Sequence, residues 1–233
     1  PEILRKMDRR PHAQFAHLVT CSVAVGLASF WLSACGPSPT KTTEDGATMI
    51  LIPAGTFQMG GVPEDVEGEP DGQLLTYHAE RPVHSVKLSA FYIDKFEVTN
   101  AQYRRFLEAT EGVTTWNHPN QAADRGHEQR YLTEDLSGDD HPAVGINWFD
   151  TYAYCQWAGK RMLTEAEWEY AARGGNDLRK YPWGQDQPNA EGIWWANYRP
   201  QAGAHVDGHR SSAPVGSYPD GVSPFGVMDM AGN

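Results

Sequence analysis

Residues 176–233 constrain this chain more than any other feature. They show no helical period; the segment is built from Gly, Pro, Asn and aromatic residues, with Trp183, Trp194, Trp195 and Tyr198 among them. A stretch of that length without secondary structure of its own is uncommon inside a domain and needs something other than a ladder or a helix to organise it. Bound cations are a candidate organiser, because carboxylates, amides and backbone carbonyls are hard oxygen donors.

The rest of the composition sets bounds. With 233 residues, 40% of them hydrophobic and 11% aromatic, the chain can bury one sizeable core but is short for two domains. A net charge of -11 excludes nucleic acid as a partner, since binding there depends on neutralising phosphates with Lys and Arg. Any attachment to a membrane must therefore use lipid rather than a basic patch.

The beginning of the chain reads as an export leader. Met7 is followed by Arg9 and Arg10, and Phe15 to Leu32 is almost free of charge, the pattern of a positive start and an apolar run. Residues 1–6 then read as upstream translation and 7–34 as a signal peptide. Leu32-Ser33-Ala34-Cys35 resembles the lipobox of bacterial lipoproteins, so Cys35 is expected to carry lipid, and Gly36 after it directs the product to the outer membrane or the periplasmic face of the cell envelope. The alternative is an uncleaved anchor, because an apolar run of about 18 residues is the lower limit for crossing a bilayer. Residues 35–47, rich in Pro, Thr and charge, are expected to be a flexible tether, with the domain spanning 48–233. Of the three cysteines, Cys21 leaves with the leader and Cys35 takes lipid, so Cys155 has no partner for a disulfide within the domain.

Along the domain, Met49–Ile52 and Thr56–Met59 read as a β-hairpin turning at Pro53-Ala54-Gly55. Glu64, Asp65, Glu67, Glu69 and Asp71 lie in a long polar loop whose spacing does not match an EF-hand, which leaves solvated carboxylates or a Ca²⁺ loop as readings. Strands follow over 83–88 and 90–97. Thr99 and Gln102 form a capping box, with Val98 and Tyr103 as its hydrophobic staple, and start a helix to about Ala109 with Tyr103, Phe106 and Leu107 inward. Asn147 caps a second helix in which Trp148, Tyr152 and Cys155 recur on one face, closed by Gly159; Cys155 is expected to act as a small buried hydrophobe. Thr164 and Glu167 form another capping box, stapled by Leu163 and Trp168 and closed by Gly174, so these glutamates read as cap and dipole partners rather than catalytic acids.

The ordered segments MILIPAGTFQMG (49–60), EVTN (97–100), HPAV (141–144) with Trp148, RMLTEAEWEYAAR (161–173), YPWG (181–184), APVG (213–216) and GVMDMAGN (226–233) resemble the formylglycine-generating enzyme, or sulfatase-modifying factor, family. The resemblance implies an α+β, C-type-lectin-like fold with much irregular structure and bound calcium. It implies an oxidase that converts the cysteine of a Cys-x-Pro-x-Arg motif in sulfatases to formylglycine, using O₂ and a copper ion held by two cysteines. Those cysteines match nothing up to Asn233 and Cys155 matches neither, so the domain is expected to be incomplete at its C-terminus. No catalytic residue is carried over, and copper belongs only to a full-length enzyme. For calcium, the resemblance implies one site from the side chains of Asn197 and Asp207 with the backbone of Tyr198 and His209, and the start of another at Asp229 and Gly232. The alternatives are that Asn197 and Asp207 simply shape loops, and that His205 with His209 would hold Zn²⁺ but for the lack of a third ligand. The implied partners are the membrane, through lipid, and an exported sulfatase or another envelope protein. The competing function is a non-catalytic envelope lipoprotein that uses the lectin-like domain for binding or scaffolding. Related sulfoxide-synthase-type iron enzymes add a His-x-x-x-His-x-Glu motif, which this chain does not contain.

Overall fold

The computed structural model describes residues 38–61, 80–175, 178–189, 192–198 and 207–233, all within the unit Pro37–Asn233. The leader, Cys35, the acidic loop from Glu64 to Asp71 and His205 lie outside the described residues.

Five short strands are present among the described residues: β1 (Thr40–Thr42), β2 (Thr48–Ile52), β3 (Gly55–Met59), β4 (His84–Leu88) and β5 (Phe91–Asp94). β2 is the centre of an antiparallel sheet ordered β1-β2-β5, and β3 pairs with β4 in a second sheet. The expected hairpin between β2 and β3 is therefore not formed. Ile50 faces Ile93 across one ladder while Phe57 faces Val86 across the other. The strand periods were legible, but pairing is decided by the core: Ile52 and Phe57 are both fully buried in one cluster with Phe91, Ile93, Tyr170 and Val227. Gly55 makes the crossing possible, because a Cβ there would lie 2.2 Å from the Tyr170 hydroxyl.

The expected tether is folded from Ser38 onward. β1 adds to the sheet edge, Tyr92 donates its hydroxyl to the Ser38 carbonyl at 2.6 Å, and Asp45 is buried. Lys160 bridges Asp45 and Asp94 at 2.6 and 2.8 Å, Tyr154 donates to Asp45 at 2.6 Å, and Arg105 donates to the Asp45 carbonyl. Burial opposes the charge on Asp45, yet its bonds from Lys160, Thr43 and Tyr154 hold the carboxyl below its ordinary value. Asp94 has one such bond and an unpartnered buried Oδ1, and burial pushes its carboxyl up. Because every one of these contacts is polar, apolar periodicity cannot reveal them.

Three helices appear among the described residues: α1 (Asn100–Thr110), α2 (Trp148–Trp157) and α3 (Glu165–Arg173). Thr99, Asn147 and Thr164 each close a capping box, with Gln102, Asp150 and Glu167 as the reciprocal partners. α1 buries Tyr103 and Phe106 against Ala153, Tyr154 and Ala158, a packing worth about 1.5–3 kcal/mol for each large apolar side chain. The expected inward face of α2 is corrected. Trp148 is half-exposed, Tyr152 and Cys155 are only partly buried, and the buried residues are Asp150, Ala153 and Tyr154. Asp150 disguises this face: a carboxylate sits inside because it accepts from the Asn147 N–H and His127 and lies beside Arg125.

Residues 178–189, 192–198 and 207–233 include the short 3₁₀ turn Pro219–Gly221. Tyr181 stacks on Trp183 at 5.0 Å, Trp183 meets Trp195 edge-on, and Val227 and Met230 enter the first core cluster. Aromatic stacking and core anchoring therefore organise much of this region directly.

Candidate functional site

The irregular C-terminal residues, the β2–β5 sheet, α2 and the link into α3 enclose a cleft of about 520 Å³. Its apolar walls include Met49, Phe96, Leu163, Trp168, Met228 and Met230, and its polar groups include Glu97, Cys155, Lys160, Arg161, Asp229 and Asn233. Local sequence explains how these side chains arrive there. β5 ends just before Phe96-Glu97, the cap of α1 begins two residues after Glu97, and the Thr164 cap turns the chain so that Trp168 stands half-exposed.

Among the carboxyls of the cleft, Glu97 has the most altered proton affinity. Burial, offset in part by a bond from Asn233 and reinforced by Asp229, pushes its carboxyl up to about 7. Near neutral pH it can therefore hold or release a proton. Burial also raises Asp229, which accepts the Gly216 N–H at 2.7 Å. Burial pushes the Cys155 thiol up to about 11, so it stays protonated and is a poor nucleophile or metal ligand at neutral pH. It is the one cysteine among the described residues. A copper ion held by two thiolates does not fit these residues.

Beside the cleft, the residues expected to hold calcium divide into two groups. Asp207 accepts the Tyr198 N–H at 3.0 Å and the His209 N–H at 3.2 Å, so these three converge. Asn197 stands next to Tyr198 and donates its amide to the Ser211 carbonyl at 3.0 Å. The donors on offer are an amide oxygen, a carboxylate and backbone carbonyls, the chemistry of a hard cation. Asp229 and Gly232 have different neighbours: Asp229 is engaged by Gly216, while a Cβ on Gly232 would lie 2.7 Å from the Asn197 carbonyl. Gly232 is thus packed against the first group. Among the described residues no three His, Cys, Asp or Glu side chains gather closely enough to hold a metal by themselves.

Sequence reading gave Glu97 and Asn233 no role although both lie in motifs it singled out. The available signal was an acid flanked by Phe96 and Val98, where an unpaired carboxylate is costly to bury. Lys160 and Asp45 carried no signal, since their partners are far away in the chain.

The chain matches the sulfatase-modifying factor enzyme 1-like domain over residues 36–233. It is 32% identical to the formylglycine-generating enzyme of Bos taurus, over 97% of this chain and 65% of that protein. It is 36% identical to the formylglycine-generating enzyme of Streptomyces coelicolor, over 87% of this chain and 74% of that protein. The structure of PvdO from Pseudomonas aeruginosa is similar with a TM-score of 0.60 and 31% identity, covering 85% of this chain and 73% of that one.

Proposed function

The chain belongs to the sulfatase-modifying factor family, and from that premise we propose that it is an oxidase of the formylglycine-generating type, converting a cysteine of an exported sulfatase to formylglycine: one atom of O₂ becomes the aldehyde oxygen, the other leaves as water with two electrons from a thiol reductant, and the sulfur leaves as sulfide. The observation that carries this reading is the similarity to formylglycine-generating enzymes of an animal and a bacterium along most of the chain. The cleft supports it: apolar walls suit an extended peptide segment, and Glu97 titrates near neutrality beside it. In the same reading Asn197, Tyr198, Asp207 and His209 hold a structural Ca²⁺, with Asp229 and Gly232 contributing to a second site. Lipid on Cys35 would hold the protein in the cell envelope, at the outer membrane or the periplasmic face.

The test is to incubate the full chain under air, with a thiol reductant, with a peptide containing Cys-x-Pro-x-Arg and to follow the peptide by mass spectrometry. Conversion of the thiol to an aldehyde, captured by a hydrazide, is the expected result. A peptide recovered with its thiol intact would sink the oxidase reading and leave the second one, a non-catalytic envelope lipoprotein that binds through this domain. Lipidation is tested separately: labelled palmitate should enter the wild-type protein and be lost in Cys35→Ser.

A further inference from the structure

Asn233 has all four of its amide bonding positions occupied. Its Oδ1 accepts the Ala213 N–H at 2.6 Å and the Asn197 Nδ2 at 3.3 Å, while its Nδ2 donates to Glu97 Oε2 at 2.9 Å and to the Ala213 carbonyl at 3.1 Å. A backbone N–H only donates and a carbonyl only accepts, so Ala213 alone decides which way this amide faces. That orientation is passed on. The Asn197 Nδ2 meets Asn233 Oδ1 on one side and the Ser211 carbonyl at 3.0 Å on the other, two acceptors that use both of its hydrogens. Asn197 Oδ1 has no hydrogen-bond partner among the described residues and lies next to the point where Tyr198 and His209 converge on Asp207. Gly232 adds a steric constraint, because its backbone lies so close to the Asn197 carbonyl that a Cβ would clash at 2.7 Å.

We propose that Asn233 is the positioning residue of the calcium loop: it turns Asn197 so that oxygen, not nitrogen, is presented to the cation, and it ties that loop to Glu97 in the cleft. This inference rests on the calcium reading of Asn197, Tyr198, Asp207 and His209. Partners that orient a ligating side chain typically change metal affinity 10–100-fold when removed, and a carboxamide presented by its nitrogen cannot ligate a hard cation at all.

Calorimetric titration of CaCl₂ into the full chain, Asn233→Ala and Asp207→Ala tests this. Expected are binding by the wild type, none by Asp207→Ala, and a 10–100-fold weaker affinity for Asn233→Ala. Circular dichroism checks that each variant is folded, and Asn233→Ser, too short to reach Asn197, stands in with the same expected loss if the alanine variant does not fold. Wild-type affinity in a folded Asn233 variant, with Asp207→Ala inactive in binding, overturns the positioning role and leaves the calcium site intact. No calcium binding by the wild type, or unchanged binding by Asp207→Ala, overturns the calcium reading of this loop and the positioning role with it. A purely structural role would lower stability in the presence of chelator without moving the affinity, and that result also overturns the proposal.

Discussion

Glu167 closes two structures at once. Its carboxylate accepts the Thr164 N–H at 2.9 Å as the reciprocal half of a capping box and receives both Arg161 nitrogens, at 2.7 and 2.5 Å. The Arg161 bonds, outweighing burial, hold this carboxyl down at about 2, against an ordinary 4.5. A depressed folded-state value contributes stability that is fully present above pH 4.5 and is lost as pH falls toward 2. Glu167→Gln should therefore cost about 1–2 kcal/mol at neutral pH, a figure reduced because Arg161 is more than half exposed and water screens the pair. In acid the variant and wild type should converge; denaturation across pH 2–7 checks this, and a constant difference over that window contradicts the assignment. Cys155 makes a second prediction at this scale. With its thiol at about 11, alkylation of the native protein at pH 8 should be far slower than in urea, and should accelerate as pH approaches 11. Equal rates with and without urea at pH 8 would contradict it.

Among the elements, β1 and the turn after it are held to the domain by a buried polar knot rather than by apolar contact. Lys160 is 6% exposed and Asp45 is 0% exposed at the side chain, so neither charge can be left to solvent. Removing one partner strands the other, which costs about 3–5 kcal/mol for a buried pair. Lys160→Met should lose stability of that order in urea denaturation, and residues 38–47 should become the first protease-sensitive segment. A change below about 1 kcal/mol, the range of an exposed pair, would mean that β1 is not clasped. All three helix starts were readable because a capping box is local: Thr99 with Gln102 and Thr164 with Glu167 stand three residues apart. The buried face of α2 was not readable, because Asp150 interrupts the apolar period and its partner His127 comes from a distant loop.

For the molecule as a whole, the calcium reading carries a stability consequence. A ligand that binds only the folded state adds about 2.7 kcal/mol at a hundredfold excess over its Kd. For a domain of this size each kcal/mol moves Tm by roughly 2–4 °C. Adding a chelator should thus lower Tm by several degrees, reversed by excess Ca²⁺ and not by Mg²⁺, whose smaller shell demands a stricter octahedron. A Tm indifferent to chelator would show that stacking of Tyr181, Trp183 and Trp195 and the anchoring of Val227 and Met230 suffice.

The sequence by itself determined what depends on neighbours a few residues apart: the strand periods, the three helix starts, the irregular character of 178–189, 192–198 and 207–233, and the ordered motifs that mark the family. Only the tertiary structure decided what depends on distant partners. β2 and β3 enter different sheets because a shared core, not their turn, selects their pairing. Residues 38–47 fold because Asp45 meets Lys160, more than a hundred positions away. Glu97 acquires its raised proton affinity only when burial and Asp229 act on it, against the bond from Asn233. Local rules act through short loops that cost little entropy to close, whereas these contacts exist only once the whole chain has collapsed around them.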